Sequence, residues 1–207
     1  MAIELSEMVS GGQAAVVTME LQRGVVGDLS SFPALADEVH RVGVVPNTAR
    51  LLAAARGAGV AVVHCTAGFR SDRLGSPANA PLMTALFRRP EHLLEGTDAV
   101  ELVAELGAEA SDLVSHRRHG VSPFIGTTLD PTLRALGVST VVATGVSLNL
   151  GIIGLTVEAV NLGYRVVLAT DAVAGVPPQY GADVVRHTLG LVATLSTVDE
   201  IIDAFRG

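Results

Sequence analysis

The stretch Thr140–Thr170, TVVATGVSLNLGIIGLTVEAVNLGYRVVLAT, decides the fold class. Its two ends, Thr140–Thr144 and Tyr164–Thr170, are short apolar runs rich in β-branched residues, the pattern of strands buried on both faces. Between them Leu148–Leu162 has the length of a helix, and Gly163 stands where a left-handed residue would close it. Strand, helix and strand in that order form a right-handed βαβ unit, which implies a parallel sheet with helices packed on it. Working outward, the same alternation recurs. Ala14–Glu20 (AAVVTME), Gly59–His64 (GVAVVH) and Ser111–Ser115 read as further strands, and Ala193–Leu195 as a possible edge strand. Pro33–Gly57 reads as helical with a bend at Val45–Pro46, because proline disfavours helix at the residue before it. Pro81–Leu106 holds one or two helical segments, and Asp130–Pro131 opens a short helix closing at Gly137. Val184–Leu191 and Thr197–Phe205 are the last helices. The fold class expected is α/β, a single-domain three-layer α/β/α sandwich over residues 1–207 with its core at about 14–205.

Composition narrows the function classes. The chain is 49% apolar and 17% charged, with a mean hydropathy of +0.47. No apolar run approaches the roughly 18 to 20 residues of a membrane-spanning helix. The longest apolar region, Val138–Leu168, is interrupted by Asn149, Glu158, Asn161 and Arg165. Met1–Gln13 carries Glu4 and Glu7 and no basic segment, unlike a secretory signal. The single cysteine, Cys65, suits a reducing compartment, so a cytoplasmic location is expected. A net charge of −7, with no long basic run, argues against nucleic-acid binding. All fourteen basic residues are arginine, which excludes a Schiff-base lysine and a Gly-Lys phosphate loop.

In open parallel sheets ligands bind beyond the carboxyl ends of the strands. Glu20 ends the first strand, His64 the second and Asp171 the fifth, while His116–His119 follows the third. Glu20 and Arg118 read either as structural ion-pair partners or as a charged pair in a shared cleft. His64 reads first as a packed core histidine and second as a catalytic one. Asp171 reads as a cap or turn carboxylate, and Cys65 as a small buried apolar residue. The segment Ala143–Gly151 (ATGVSLNLG) takes the chain from a strand end through a tight turn into a helix start. Its backbone N–H groups form either an oxyanion site or a glycine-softened turn.

Together these segments resemble the isochorismatase-like hydrolase superfamily. The resemblance rests on Ala14–Gln22, on Arg118–Leu129 (RHGVSPFIGTTL), on Val141–Gly151 and on Glu158–Ala172. It implies a six-stranded parallel sheet, a cis peptide near Val146–Ser147, and assembly as a homodimer or homotetramer. The family's amidases use an Asp, Lys, Cys triad. Here Glu20 stands for the Asp, Arg118 for the Lys and Gly151 for the Cys. Around these catalytic positions the expected substrate-binding residues are Gln22, His64, His119, Phe124, Val146, Ser147 and Leu150. Ala67 and Phe69 take the places of a metal-binding Asp and His, so no metal and no cofactor are expected.

A glycine cannot act as nucleophile, so the thiol mechanism is unavailable at position 151. The resemblance then implies a cysteine-independent hydrolase of a small, anionic substrate. Glu20 would be its acid or base, Arg118 its charge stabiliser, and the main chain of Ser147–Gly151 its oxyanion site. The permanently charged arginine favours a base or anion clamp over an acid. Two alternatives stay open: an inactive member that binds small molecules or serves as an assembly subunit, and an unrelated flavodoxin-like or nucleotide-binding domain.

Overall fold

The computed structural model describes residues 4–10 and 12–206; Met1–Ile3, Gly11 and Gly207, including parts of the Met1–Gln13 segment, lie outside the described residues. In chain order the elements are α1 (Leu5–Val9), β1 (Ala14–Met19), α2 (Pro33–Val42), α3 (Val44–Gly57), β2 (Ala61–Ala67) and α4 (Pro81–Leu86). There follow β3 (Leu113–Arg117), α5 (Leu129–Ala135), β4 (Thr140–Val146), α6 (Gly151–Asn161), β5 (Arg165–Ala174), α7 (Pro178–His187), β6 (Thr194–Ser196) and α8 (Val198–Ala204).

The six strands form one all-parallel sheet in the order β3-β2-β1-β4-β5-β6, as expected. Strand alternation splits β1 between two cores. Ala14 and Val16 join Leu35 and Val39 of α2, Leu51, Leu52 and Ala55 of α3, and Val198 and Ile201 of α8. Ala15, Val17 and Met19 face the other way, toward Leu129 and Leu133 of α5, Ile152, Leu155 and Ala159 of α6, and Val184 of α7. All six residues of β1 are buried, and each fully buried Val or Met side chain contributes about 1.5–3 kcal/mol. No helix among the described residues is long and apolar enough to cross a membrane.

The sheet order reverses between β1 and β4, and an open parallel sheet leaves a crevice at such a point. The close approach of these two strands is set by Gly145. A Cβ there would lie 2.7 Å from the Met19 backbone nitrogen, and its φ of +106° falls where side chains are strained.

Several element boundaries differ from expectation, each for a local reason. The Pro33–Gly57 helix breaks at Gly43, not at Val45–Pro46. Gly43 adopts φ +79° and its N–H caps the carbonyls of Val39 and His40. Pro46 falls within the first turn of α3, where its missing N–H costs nothing. β2 continues three residues past His64, and β3 runs two residues later than Ser111–Ser115. β5 extends to Ala174 through a register shift against β4 between Ala143 and Gly145. α7 starts at Pro178 rather than Val184, with proline in its first turn.

Candidate active site

The crevice between β1 and β4 holds a cavity of about 460 Å³. Its polar wall contains Glu20, Arg117, Ser147, Asn149 and Gly151, and its apolar wall includes Phe32, Leu35, Phe69, Met83 and Leu86. Glu20 is the first residue beyond β1. It sits at φ +52°, in the left-handed region, held by its N–H donating to the Cys65 carbonyl at 2.9 Å. A non-glycine residue held in this region costs on the order of 1 kcal/mol, and such strain gathers at functional sites.

The cation that meets Glu20 is Arg117, not Arg118. Arg117 is the last residue of β3, 7% exposed, and its Nη2 donates to Glu20 Oε1. Alternation places Ser115 and Arg117 on the inner side and turns His116 and Arg118 outward. Arg118 is 56% exposed, and its Nε donates to Glu95 Oε1 at 2.5 Å. Arg117 Nη1 is sealed from solvent and has no hydrogen-bond partner among the described residues.

Gly151 opens α6 at the cavity wall. The first N–H groups of a helix have no intrahelical acceptor, while the next amide, that of Ile152, already donates to the Ser147 carbonyl at 2.9 Å. The Val146–Ser147 peptide is cis, where the resemblance puts one. A Cβ on Gly151 would meet the Val146 carbonyl oxygen at 2.9 Å and Met19 Cε at 3.0 Å, so the place of a nucleophilic side chain is taken by neighbouring atoms.

The structure brings Glu20, Ser147, Leu150 and Gly151 together at this cavity, and leaves six other expected residues off its wall. Arg118 points outward, as above. Gln22 is fully buried and spends its amide on structure. Its Nε2 donates to the carbonyls of Ala67 and Val100, each at 2.8 Å, and its Oε1 accepts from the Ala67 N–H. His64 lies inside β2, between Thr18 Oγ1 at 2.8 Å and Asp112 Oδ2 at 3.1 Å. Burial pulls the His64 ring below its ordinary value, against the opposing pull of Asp112. Asp112 is held down to about 2, because hydrogen bonds from Arg56, the Glu109 backbone and His64 outweigh the upward push of burial. His119 packs its ring over Gly126. Phe124 stacks on Tyr164 in the core on the opposite face of the sheet, and the Val146 side chain is fully buried in the core beneath the cavity.

Two further groups matter. His92 was not anticipated: it follows Pro90-Glu91 in a loop with no motif, yet it lines the cavity at 3% exposure. Burial, with the nearby charges of Arg73 and Arg89, lowers its ring to about 4, so it is neutral near pH 7. Cys65 is buried on the α6 side of the sheet, where loss of solvent pushes its thiol up to about 12. That thiol is not available as a nucleophile. Ala67 and Phe69 present hydrocarbon at the cavity, with no atom to ligate a metal. Among the described residues no group of three or more His, Cys, Asp or Glu is placed to hold one.

A parallel α/β sandwich with its cavity at the β1–β4 switch point, an acid after β1, a cation closing β3 and a helix start after β4 defines the class of isochorismatase-like hydrolases. Residues 14–200 match the isochorismatase domain, and the chain belongs to that family. It is 30% identical over 194 residues to an uncharacterised isochorismatase family protein, YecD, of Escherichia coli O157:H7, covering 92% of this chain and 95% of that one. It is 32% identical over 180 residues to the ureidoacrylate amidohydrolase RutB of Variovorax paradoxus, covering 79% and 69%. The crystal structure of an isochorismatase family protein from Desulfovibrio vulgaris superposes with a TM-score of 0.79 at 25% identity, covering 94% of this chain and 99% of that one.

Proposed function

We propose that the chain is a cysteine-independent hydrolase whose small substrate places a carbonyl group between Arg117 and the start of α6. The observation that carries this reading is the contact of Glu20 with Arg117 on the cavity wall that also holds Gly151. Among the described residues, the side chain of Glu20 has one donor, the Arg117 guanidinium, on Oε1. Its other oxygen serves as the base. It takes a proton from water as the water oxygen bonds to the carbonyl carbon, and returns that proton to the leaving atom as the bond to it breaks. The negative charge that develops on the carbonyl oxygen is met by the helix-start amide and by Arg117. The ureidoacrylate amidohydrolase relative points to a carboxylated ureide or amide as the first substrates to try.

The test compares wild type with Glu20→Gln on ureido acids, primary amides of dicarboxylic acids and isochorismate. Loss of a general base lowers kcat by roughly 10²–10⁴. Turnover that survives unchanged in the variant removes Glu20 from the reaction. A second reading, a ligand-binding family member without turnover, is favoured by the filled space at Gly151 and by the engagement of Glu20 in an ion pair. It predicts that wild type hydrolyses none of these compounds while one of them raises Tm.

A further inference from the structure

Phe32, Leu82, Leu86, Val121, Leu150 and Val176 all line the cavity, and each keeps surface open to solvent. They arrive from separate parts of the chain. Phe32 precedes α2, Leu82 and Leu86 lie on α4, Val121 follows β3, Leu150 precedes α6 and Val176 follows β5. Leu82 and Leu150 are 37% and 45% exposed. Scattered exposed leucines are ordinary, but apolar side chains gathered from distant segments around one hollow of about 460 Å³ mark a ligand site. Among the described residues the charged side chains of that wall are Glu20 and Arg117, and they are bonded to each other. His92 adds no charge near pH 7. The Asn149 amide is engaged as well. Its Nδ2 donates to the Val176 carbonyl at 2.6 Å, and its Oδ1 accepts from the Val176 N–H at 3.0 Å. A charged group on the body of a ligand would lose its water here without gaining a free counter-ion, whereas hydrocarbon gains by leaving water.

We infer that the site selects acyl compounds, amides or ureides, whose body is an uncharged hydrocarbon chain or ring seated against Leu82, Leu86 and Leu150. This rests on the preceding reading only for the placement of the carbonyl head beside Arg117. The carboxylated compounds tried there share the head and differ in the body, so they report the reaction, while an uncharged body gives the tighter complex. Such a wall discriminates by length. Each methylene moved from water onto it raises affinity until the cavity is filled. The net charge of −7 on the whole chain also works against anionic ligands.

Methyl ketones carry the acyl head in a form that is not hydrolysed. The probes are therefore 2-pentanone, 2-heptanone and 2-nonanone, each paired with the carboxylate of the same alkyl group: butanoate, hexanoate and octanoate. Binding to the full chain is followed by NMR of methyl-labelled methionine, with the Met83 signal assigned from Met83→Leu. Met83 lines the cavity, whereas Met8 lies in the core away from its wall. Ketone affinity is expected to rise roughly two- to fourfold per added methylene. Each ketone is expected to bind roughly tenfold or more tighter than its carboxylate, shifting Met83 and not Met8. Leu82→Ser and Leu150→Ser, at exposed positions that the fold tolerates, are each expected to weaken 2-nonanone by roughly threefold or more while 2-pentanone changes little. The inference is overturned if affinity does not rise with length, if the carboxylates bind as tightly as the ketones, or if Met83 does not shift. It is equally overturned if both serine variants keep wild-type affinity for 2-nonanone, or if they dissociate a wild-type dimer in sedimentation, which would make these leucines a contact between copies of the chain. Failure of the catalytic reading looks different: it is amide turnover unaffected by Glu20→Gln, with the length dependence of ketone binding intact.

Discussion

Gly151 on the cavity wall abuts the buried side chain of Met19, and this contact sets what position 151 can become. Introducing Gly151→Cys pushes a Cβ against the Val146 carbonyl at 2.9 Å and Met19 Cε at 3.0 Å. Overpacking of this kind costs about 1–3 kcal/mol. Chemical denaturation of Gly151→Cys is therefore expected to show a lower midpoint than wild type, and pairing it with Met19→Val to return part of the loss. Strict additivity in that double-mutant cycle would mean the two sites do not press on each other. The adjacent arginines make a second comparison at this scale. Arg117→Met leaves Glu20, 18% exposed, beside a buried apolar side chain instead of its partner, and breaking such a pair is costly, on the order of 3 kcal/mol. Arg118→Met removes only an exposed contact to Glu95, worth about 0–1 kcal/mol. Equal effects of the two on Tm and on ligand binding would contradict the placement of Arg117 in the site. The Arg-Arg pair also shows why the site was only partly legible. Motif spacing selected Arg118, but which neighbour turns inward depends on where β3 ends, and a shift of one residue exchanges the faces. The alternate burial of Ser115 and Arg117 is a property of the folded strand, and it follows only once β3 is known to end at Arg117.

Among the elements, α8 is the most explicit in its end signals. Thr197 Oγ1 accepts from the Glu200 N–H at 3.3 Å, and Glu200 Oε2 accepts from the Thr197 N–H at 2.8 Å, a reciprocal cap. Asp171, leaving the inner part of β5, adds a third bond by accepting from the Val198 N–H at 2.8 Å. Thr197→Ala is expected to lower stability by about 1 kcal/mol, read as a shift in denaturation midpoint without a change in slope; no shift would mean the cap is redundant. Elements of this kind were readable because their cues are local: a capping threonine before α8, glycine after α6, apolar runs for β1, β4 and β5. Boundaries set by tertiary pairing were not. β2 looked complete at His64, yet pairing with β1 and β3 carries it to Ala67, and that extension turns an apparent strand-end histidine into a core one. His92 had no cue at all, because its loop reaches the cavity only through the fold.

For the molecule as a whole, buried neutral histidines couple stability to pH. His92 titrates near 6.5 in an unfolded chain and at about 4 when folded. The folded state resists the proton, so this contribution is complete above pH 6.5 and is lost as pH falls from 6.5 to 4, while the unfolded chain takes up protons first. The loss from His92 reaches up to about 3 kcal/mol, and His64 acts in the same direction. Tm is expected to fall across that interval in wild type and less steeply in His92→Phe; parallel curves would show that His92 is not held neutral. Asp112, with its lowered value of about 2, has the opposite chemistry but the same sense, and weakens the fold only as pH drops from about 4 toward 2. The lone thiol at Cys65 has a practical consequence of another kind. Iodoacetamide at mildly alkaline pH reacts with thiolate, and in the closed sheet this sulfur is both enclosed and protonated. Alkylation then proceeds only through molecules whose strands have parted, so the labelling rate becomes a one-site clock for how often the centre of the protein breathes.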